Sequence, residues 1–124
     1  MSVPRRLAAT SVVLGLAFGV VAMAGGPALG DCGLQTGHFC AYRDANYGTL
    51  LLHSSAGVNS EVDVADNVVS SGKNGTGNYW WGMDEHTFLP DECVVYWAPH
   101  TAISYVGSSA NDRIDHFAVK STRC

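Results

Sequence analysis

The chain lacks the short motifs that mark the commonest classes of enzyme. It contains no H-E-x-x-H or G-x-S-x-G motif and no glycine-rich loop of the phosphate-binding kind. Its five histidines are scattered, and no two of them stand three or four residues apart. The sequence therefore offers no nucleophile–base pair and no local metal centre for hydrolysis, and we expect that the protein is not an enzyme.

Basic residues are scarce, and two of the seven lie near the start of the chain as Arg5 and Arg6. Without those two, five basic residues face eleven acidic ones, a formal charge of −6. Nucleic acids and anionic membranes attract clusters of Lys and Arg, which this sequence does not have. We therefore expect neither kind of partner, and we expect the exported chain to be a monomer.

Residues 1–30 have the composition of a signal peptide. Two arginines precede an apolar run, residues 7–24, and small residues around Ala28 suit a signal peptidase. Cleavage before Asp31 would release a single secreted domain of residues 31–124. Two alternatives remain, namely a retained membrane anchor, although no stop-transfer charges follow the run, and twin-arginine export.

All four cysteines lie after the signal segment, and an even number in a short exported chain is typical of disulfides. Three pairings are possible, and we favour the most local one. A zinc site is the alternative, but no two of the cysteines have the C-x₂₋₄-C spacing that zinc ligands use. The favoured disulfides are Cys32–Cys40 and Cys93–Cys124.

Residues 31–124 show no sustained helical period. Short runs of β-favouring residues are separated by turn residues roughly every eight to twelve positions, which is typical of a β-sandwich. A six-residue pattern of Asx and polar side chains occurs twice, as DNVVSS at 66–71, the first Asx loop, and as NDRIDH at 111–116, the second Asx loop. The recurrence indicates a duplicated unit, with the two units at about 38–74 and 77–120.

Three segments together resemble one known family. The hairpin FCAYRDANYG at 39–48, the first Asx loop and KNGT at 73–76 are similar to the bacterial secreted peptidase-inhibitor family thirty-six. The resemblance covers most of residues 32–120. It implies an all-β, βγ-crystallin-like sandwich of two Greek-key motifs. It also implies that the protein inhibits an extracellular protease, in particular a metalloprotease.

The resemblance further implies two Ca²⁺ sites, because crystallin-type domains build each site from the Asx loop of one unit and the hairpin of the other. Oxygen ligands of the kinds present in these loops are those that Ca²⁺ prefers. In the second loop, Asp115 and His116 replace the hydroxyl residues, so the two sites are unequal. The alternative is that Ser70 and Ser71 only hydrogen-bond their own loop. The implied ligands are Asp66, Asn67, Ser70 and Asp84 for the first site, and Asn111, Asp112, Asp115 and Asp44 for the second.

Two segments are candidates for contact with a protease. Metalloproteinase inhibitors of the resembling family carry their reactive bond in a small disulfide loop that starts with Cys-Val, and Cys93-Val94 resembles that start. The next cysteine is Cys124, so no small closed loop follows, and the segment also fits a plain strand. The second candidate is Phe88-Leu89, whose large apolar side chains would suit a thermolysin-like pocket.

Two other functions stay open. A Ca²⁺-binding structural or cell-envelope module would use the Asx loops without inhibiting any protease. A glycan binder would use Tyr79, Trp80 and Trp81, and because alternate residues of a strand face outward, one of the two tryptophans should be exposed. The run DEH at 84–86 is interpreted as a solvated loop, since adjacent residues on a turn diverge.

Overall fold

A computed structural model describes residues 32–124, and the expected signal peptide lies outside the described residues. Eight strands and one 3₁₀ turn, Ala45–Tyr47, make up the regular structure of this part of the chain. Within it there is no helix long and apolar enough to cross a membrane. The strands are β1 (Phe39–Asp44), β2 (Gly48–Ser54), β3 (Glu61–Asp63), β4 (Ser71–Asn74), β5 (Tyr79–Asp84), β6 (Glu92–Trp97), β7 (Thr101–Ile103) and β8 (His116–Lys120).

The strands form two antiparallel sheets of four, in the orders β2-β1-β4-β7 and β3-β8-β5-β6. Each group of four consecutive strands gives three strands to one sheet and one strand to the other. Thus β3 pairs with β8, and β7 pairs with β4. This exchange interlocks two Greek keys and confirms the predicted all-β sandwich of two Greek-key motifs.

Four aromatic side chains, all fully buried, fill the space between the sheets. Phe39 and Trp80, which lie at matching places in β1 and β5, stack with ring centroids 4.4 Å apart and an interplanar angle of 3°. Phe117 and Trp97 meet the Phe39 ring edge-on at 4.9 and 5.2 Å. Each ring pair of this kind adds about 0.5–1.5 kcal/mol beyond burial itself, so the cluster joins the two units.

Strand β4 has no sequence pattern that predicts a strand. Its sequence, SGKN, has no apolar side chain to mark a strand. A side chain from another strand holds this segment in place, because Trp97 Nε1 donates a hydrogen bond to the Gly72 carbonyl at 3.0 Å. A Cβ at Gly72 would lie 2.8 Å from Cζ2 of that ring, so the tryptophan packs on bare backbone.

Asn74 closes one end of the sandwich, although it is polar and fully buried. Its Nδ2 lies within hydrogen-bonding distance of the carbonyls of Asn78 (2.8 Å), Trp97 (3.2 Å) and Ala98 (2.9 Å). Its Oδ1 accepts from the amide and the hydroxyl of Thr76. The side chain is therefore fully satisfied, and it ties β4 of the first unit to β6 of the second.

Both favoured disulfides are confirmed, as Cys32–Cys40 and Cys93–Cys124. Residues 32–124 contain no free cysteine, which leaves no thiol for the alternative zinc site. Two disulfides in so small a domain are consistent with an extracellular protein.

Candidate functional site

The two Asx loops have the same backbone geometry and lie side by side. The second residue of each loop, Asn67 and Asp112, is left-handed, with φ of 59° and 65°. Asn and Asp adopt this conformation more readily than other residues with a side chain. The Asn67 amide donates to the carbonyl of Ile114 at 3.0 Å and so joins the first loop to the second.

One group of polar residues surrounds Asp115 and is called the Asp115 cluster. Its members line one pocket and come from both Asx loops and from the loop 85–91, which connects β5 to β6. Asp115 Oδ2 accepts the amide N–H of Glu85 at 2.8 Å. With its amide nitrogen oriented toward the second loop, Asn67 donates to Asp115 Oδ1 at 3.0 Å and to the carbonyl of Asp112 at 3.1 Å. The pocket is lined by Asp66, Glu85, His86, Thr87 and Asp115.

A second group, called the Ser70 cluster, lies at the equivalent place in the first unit. Ser70 Oγ donates to Asn111 Oδ1 at 2.7 Å. Ser71 Oγ donates to the carbonyl of Asp44 at 2.6 Å and accepts the amide of Tyr47 at 3.0 Å. The hydroxyls of this cluster therefore have partners inside the domain, and those partners lie in the second Asx loop and the first hairpin rather than in their own loop.

The structure divides the expected Ca²⁺ ligands differently from the sequence analysis. Asp66 and Asp115, which were expected in different sites, line the same pocket. Ser70 contacts Asn111, which was also expected in the other site. The reason is that the loops lie side by side, so the first position of one loop lies beside the fifth position of the other. Metal binding itself stays a prediction.

Asp84, expected as a ligand of the first site, accepts a hydrogen bond from Arg113. Arg113 Nε donates to Asp84 Oδ2 at 2.9 Å, and a terminal nitrogen of the same guanidinium donates to Glu92 Oε1 at 2.8 Å. Its other terminal nitrogen donates to the carbonyl of Ser109. The hydrogen bond to Asp84, aided by the charge of Glu92, raises the pKa of Arg113, which therefore stays protonated. One cation thus joins the last residue of β5 to the first residue of β6.

His86 lies beside this ion pair. His86 Nε2 is 3.4 Å from Glu92 Oε1 and 3.9 Å from Asp84 Oδ2, so these three side chains converge although the run 84–86 was expected to be solvated. Sequence reasoning missed the cluster because Glu92 belongs to the opposite strand of the hairpin. The positive charge beside the carboxylates of Asp84 and Glu92 is the guanidinium of Arg113, which contacts both of them.

The loop 85–91 presents the most exposed large apolar side chains of the described residues. Phe88 is 94% exposed and Leu89 is 68% exposed. The other candidate for protease contact, Cys93 and Val94, lies within β6, where Cys93 pairs with Met83 of β5. The structure thus places only Phe88 and Leu89 on a protruding loop.

The aromatic residues proposed for glycan binding are divided between the core and the surface. Trp80 is fully buried, so it has no free face for a sugar. Trp81 is half-buried, and its Nε1 donates to the carbonyl of Thr122 at 2.7 Å. Tyr79 lies beside Tyr96 with ring centroids 6.0 Å apart. Trp80 therefore cannot contact a glycan, and of the three proposed residues only Tyr79 and Trp81 reach the surface.

Comparison with known proteins supports the fold and no finer assignment. No protein-family model and no curated protein matches the chain. A mutant of a betagamma-crystallin domain from Clostridium beijerinckii matches with a TM-score of 0.50 and 19% identity, over 68% of this chain and 99% of that chain. The betagamma-crystallin domain without the mutation matches over the same shares with a TM-score of 0.49. The described domain has the βγ-crystallin-like fold, and membership of the peptidase-inhibitor family stays a prediction.

Proposed function

We propose that the protein is a secreted inhibitor of an extracellular peptidase, in particular a metalloprotease, and that the loop 85–91 is its contact segment. The observation that supports this proposal is the 94% exposure of Phe88 on a loop whose two ends are joined by Arg113. A preorganised segment loses less conformational entropy when it binds than a flexible one does. Buried aromatic anchors supply much of the affinity of protein interfaces.

The chemistry of the loop suits the cleft of a peptidase. Phe88 and Leu89 are adjacent large apolar side chains, and Pro90 fixes the backbone that follows them. A peptidase that accepts large apolar residues could hold this pair as it holds a substrate. The proposal therefore assigns affinity to Phe88 and Leu89 and makes the rest of the domain their scaffold.

A titration of a thermolysin-type and a subtilisin-type peptidase with the purified protein tests this function. Free Ca²⁺ is kept constant, because thermolysin-type enzymes need it themselves. We expect stoichiometric loss of activity with the metalloprotease. Phe88→Ser should weaken inhibition by about thirtyfold, the effect of losing one central aromatic anchor.

The matched control is Val58→Ser, which removes an apolar side chain that is 47% exposed in the first unit. It should inhibit as well as the unaltered protein. Absence of inhibition for both enzyme types, or rapid digestion of the protein, would rule out inhibition of these classes. Equal inhibition by Phe88→Ser and the unaltered protein would rule out the loop as the contact segment.

We propose Ca²⁺ binding at the Asp115 cluster as a second candidate function. The supporting observation is that three acidic residues, Asp66, Glu85 and Asp115, line one pocket together with Thr87. Hard oxygen donors of this kind fit Ca²⁺. In the Ser70 cluster the contacts are made by hydroxyl, side-chain amide and backbone carbonyl oxygens, which carry no formal charge. One Ca²⁺ site is therefore expected rather than two.

Calorimetric titration with Ca²⁺, combined with thermal unfolding, tests this second function. Because Ca²⁺ would bind the folded state, a concentration of one hundred times Kd should stabilise the protein by about 2.7 kcal/mol. Asp66→Asn should remove most of this gain, and Asp63→Asn, an exposed substitution on β3, should not. No heat of binding and no thermal shift at millimolar Ca²⁺ would contradict the proposal.

A further inference from the structure

The two Asx loops differ at every position, and the largest changes in side-chain size and polarity are at the third, fifth and sixth. At its third, fifth and sixth positions the second loop has Arg113, Asp115 and His116, where the first loop has Val, Ser and Ser. These three residues are the main departures of the second loop from the first. The structure shows what the three side chains contact.

All three departures contact the loop 85–91 or the residues that flank it. Asp115 accepts the Glu85 amide at 2.8 Å. His116 Nε2, on a buried side chain, lies 3.4 Å from a carboxylate oxygen of Asp91. Arg113, as described above, binds the carboxylates at both ends of the loop. The corresponding hydroxyls of the first loop instead bind Asn111 and the backbone of the first hairpin.

We infer that the second Asx loop is a brace that holds the loop 85–91 in the shape a peptidase binds, with Arg113 as its principal positioning residue. The inference rests on the proposed inhibitory function and goes beyond it by naming the residues that position the contact segment. A guanidinium suits the task because its planar fork reaches two carboxylates at once. A Lys ammonium is a point charge and holds the geometry less firmly.

The brace determines whether a peptidase treats the loop as an inhibitor or as a substrate. A segment joined at both ends keeps Phe88 in one position and resists the local opening that hydrolysis of its peptide bonds requires. Without Arg113, the loop must lose more entropy on binding and opens more often. The same change should therefore weaken inhibition and accelerate cleavage within the loop.

Three variants test the inference, namely Arg113→Gln, Arg113→Lys and the control Arg43→Gln. Arg43 occupies the place in the first hairpin that matches Asp84 in the second, and it is exposed. For each variant we would measure the inhibition constant, the rate of cleavage within 85–91 by mass spectrometry, and Tm. Arg113→Gln loses two charge-assisted contacts, so we expect about tenfold weaker inhibition and about tenfold faster cleavage. Arg113→Lys should be intermediate, and Arg43→Gln should match the unaltered protein.

The outcomes separate this inference from the proposed function. If the unaltered protein inhibits and Arg113→Gln inhibits equally well and is cut equally slowly, the inference is overturned while the function stands. If the unaltered protein inhibits nothing, the function fails, and the brace is judged by cleavage alone. Faster cleavage of Arg113→Gln than of Arg43→Gln then supports the brace, and equal cleavage overturns it.

A second variant guards against loss of folding in Arg113→Gln. Glu92→Gln removes one of the two carboxylates that Arg113 contacts, at an exposed position, and leaves Arg113 bound to Asp84. If Arg113→Gln lowers Tm as much as a core substitution does, the same two rates measured on Glu92→Gln decide the question. An increase in cleavage without a comparable fall in Tm supports the brace, and unchanged rates overturn it.

Discussion

The two units of the domain share one plan and differ most in their first hairpins. In the first unit, β1 and β2 are joined by the short turn Ala45–Tyr47, whose Asn46 amide donates to the carbonyl of Ser104. In the second unit, β5 and β6 are joined by the longer loop 85–91, which exposes Phe88. The Asx loops differ accordingly, since Ser70 and Ser71 of the first bind Asn111 and the first hairpin, whereas Arg113 and Asp115 of the second bind the long loop and its flanking residues. The first unit thus has a compact hairpin, and the second has an extended one.

The difference indicates where function lies in this fold. Connections carried by a rigid scaffold are the usual place for binding residues. Here the scaffold includes the residues that match between units, such as Phe39 and Trp80, and the proposed contact segment lies where the units diverge. A likeness of fold alone would not identify that segment.

Removing each disulfide in turn should give the largest losses in the free energy of unfolding and compares the two units by the size of the loss. Cys93–Cys124 closes a separation of 31 residues, whereas Cys32–Cys40 closes a separation of 8. In the chain-entropy model, their loss should cost about 4 and about 2.5 kcal/mol respectively, because the longer loop restricts the unfolded chain more. Denaturant unfolding of the two double Cys→Ala variants checks the order. A larger loss for the Cys32–Cys40 variant would contradict it.

Gly72→Ala tests the contact between the units at the core. The added Cβ would lie 2.8 Å from the buried Trp97 ring, so we expect a loss of about 1–3 kcal/mol from overpacking. Gly77→Ala is the matched control, because a Cβ at Gly77 meets no atom within 4 Å. Equal unfolding free energies for the two variants would show that the Gly72–Trp97 contact is not tightly packed.

Tyr42→Phe should have the smallest effect on the free energy of unfolding, and this effect should appear only at alkaline pH. It tests a difference between the hairpins, because the second hairpin has no tyrosine at the matching position. Burial, and then the charge of Tyr47, raises the pKa of Tyr42 above its ordinary value of 10.0, whereas the matching residue in the second unit is Met83. The unfolded chain therefore releases this proton first, and the free energy of unfolding should fall as pH rises from 10.0 through the raised pKa. Tyr42→Phe should reduce that fall. Tyr79→Phe is the control, and an alkaline profile of Tyr42→Phe identical to that of the unaltered protein would contradict the expectation.

Local patterns in the sequence were enough to predict the sandwich, the disulfides and the position of the Asx loops. Turn residues and alternating apolar residues act over a few positions, so they can be recognised without the fold. Strand β4 could not be recognised this way, because Gly72 is held by Trp97, a residue distant in sequence. Which tryptophan faces inward likewise depended on how β5 pairs with β8 and β6.

The grouping of polar residues was the least predictable feature of the candidate site. Asp66 and Asp115 meet only because the two Asx loops pack side by side. Arg113 of the second Asx loop contacts Asp84 and Glu92, which lie 29 and 21 residues away in the chain. Signals of this kind arise from tertiary packing, and the one clue in the sequence was the presence of Arg, Asp and His in the second loop where the first loop has Val, Ser and Ser.

Backbone ¹⁵N relaxation tests most directly whether the loop 85–91 is held rigid by the second Asx loop. In the unaltered protein, order parameters for residues 85–91 should be about 0.85, the value of rigid backbone, and in Arg113→Gln they should fall below about 0.6. Arg43→Gln should leave them unchanged. Order parameters below about 0.6 in the unaltered protein, or values near 0.85 that persist in Arg113→Gln, would contradict the role assigned to Arg113.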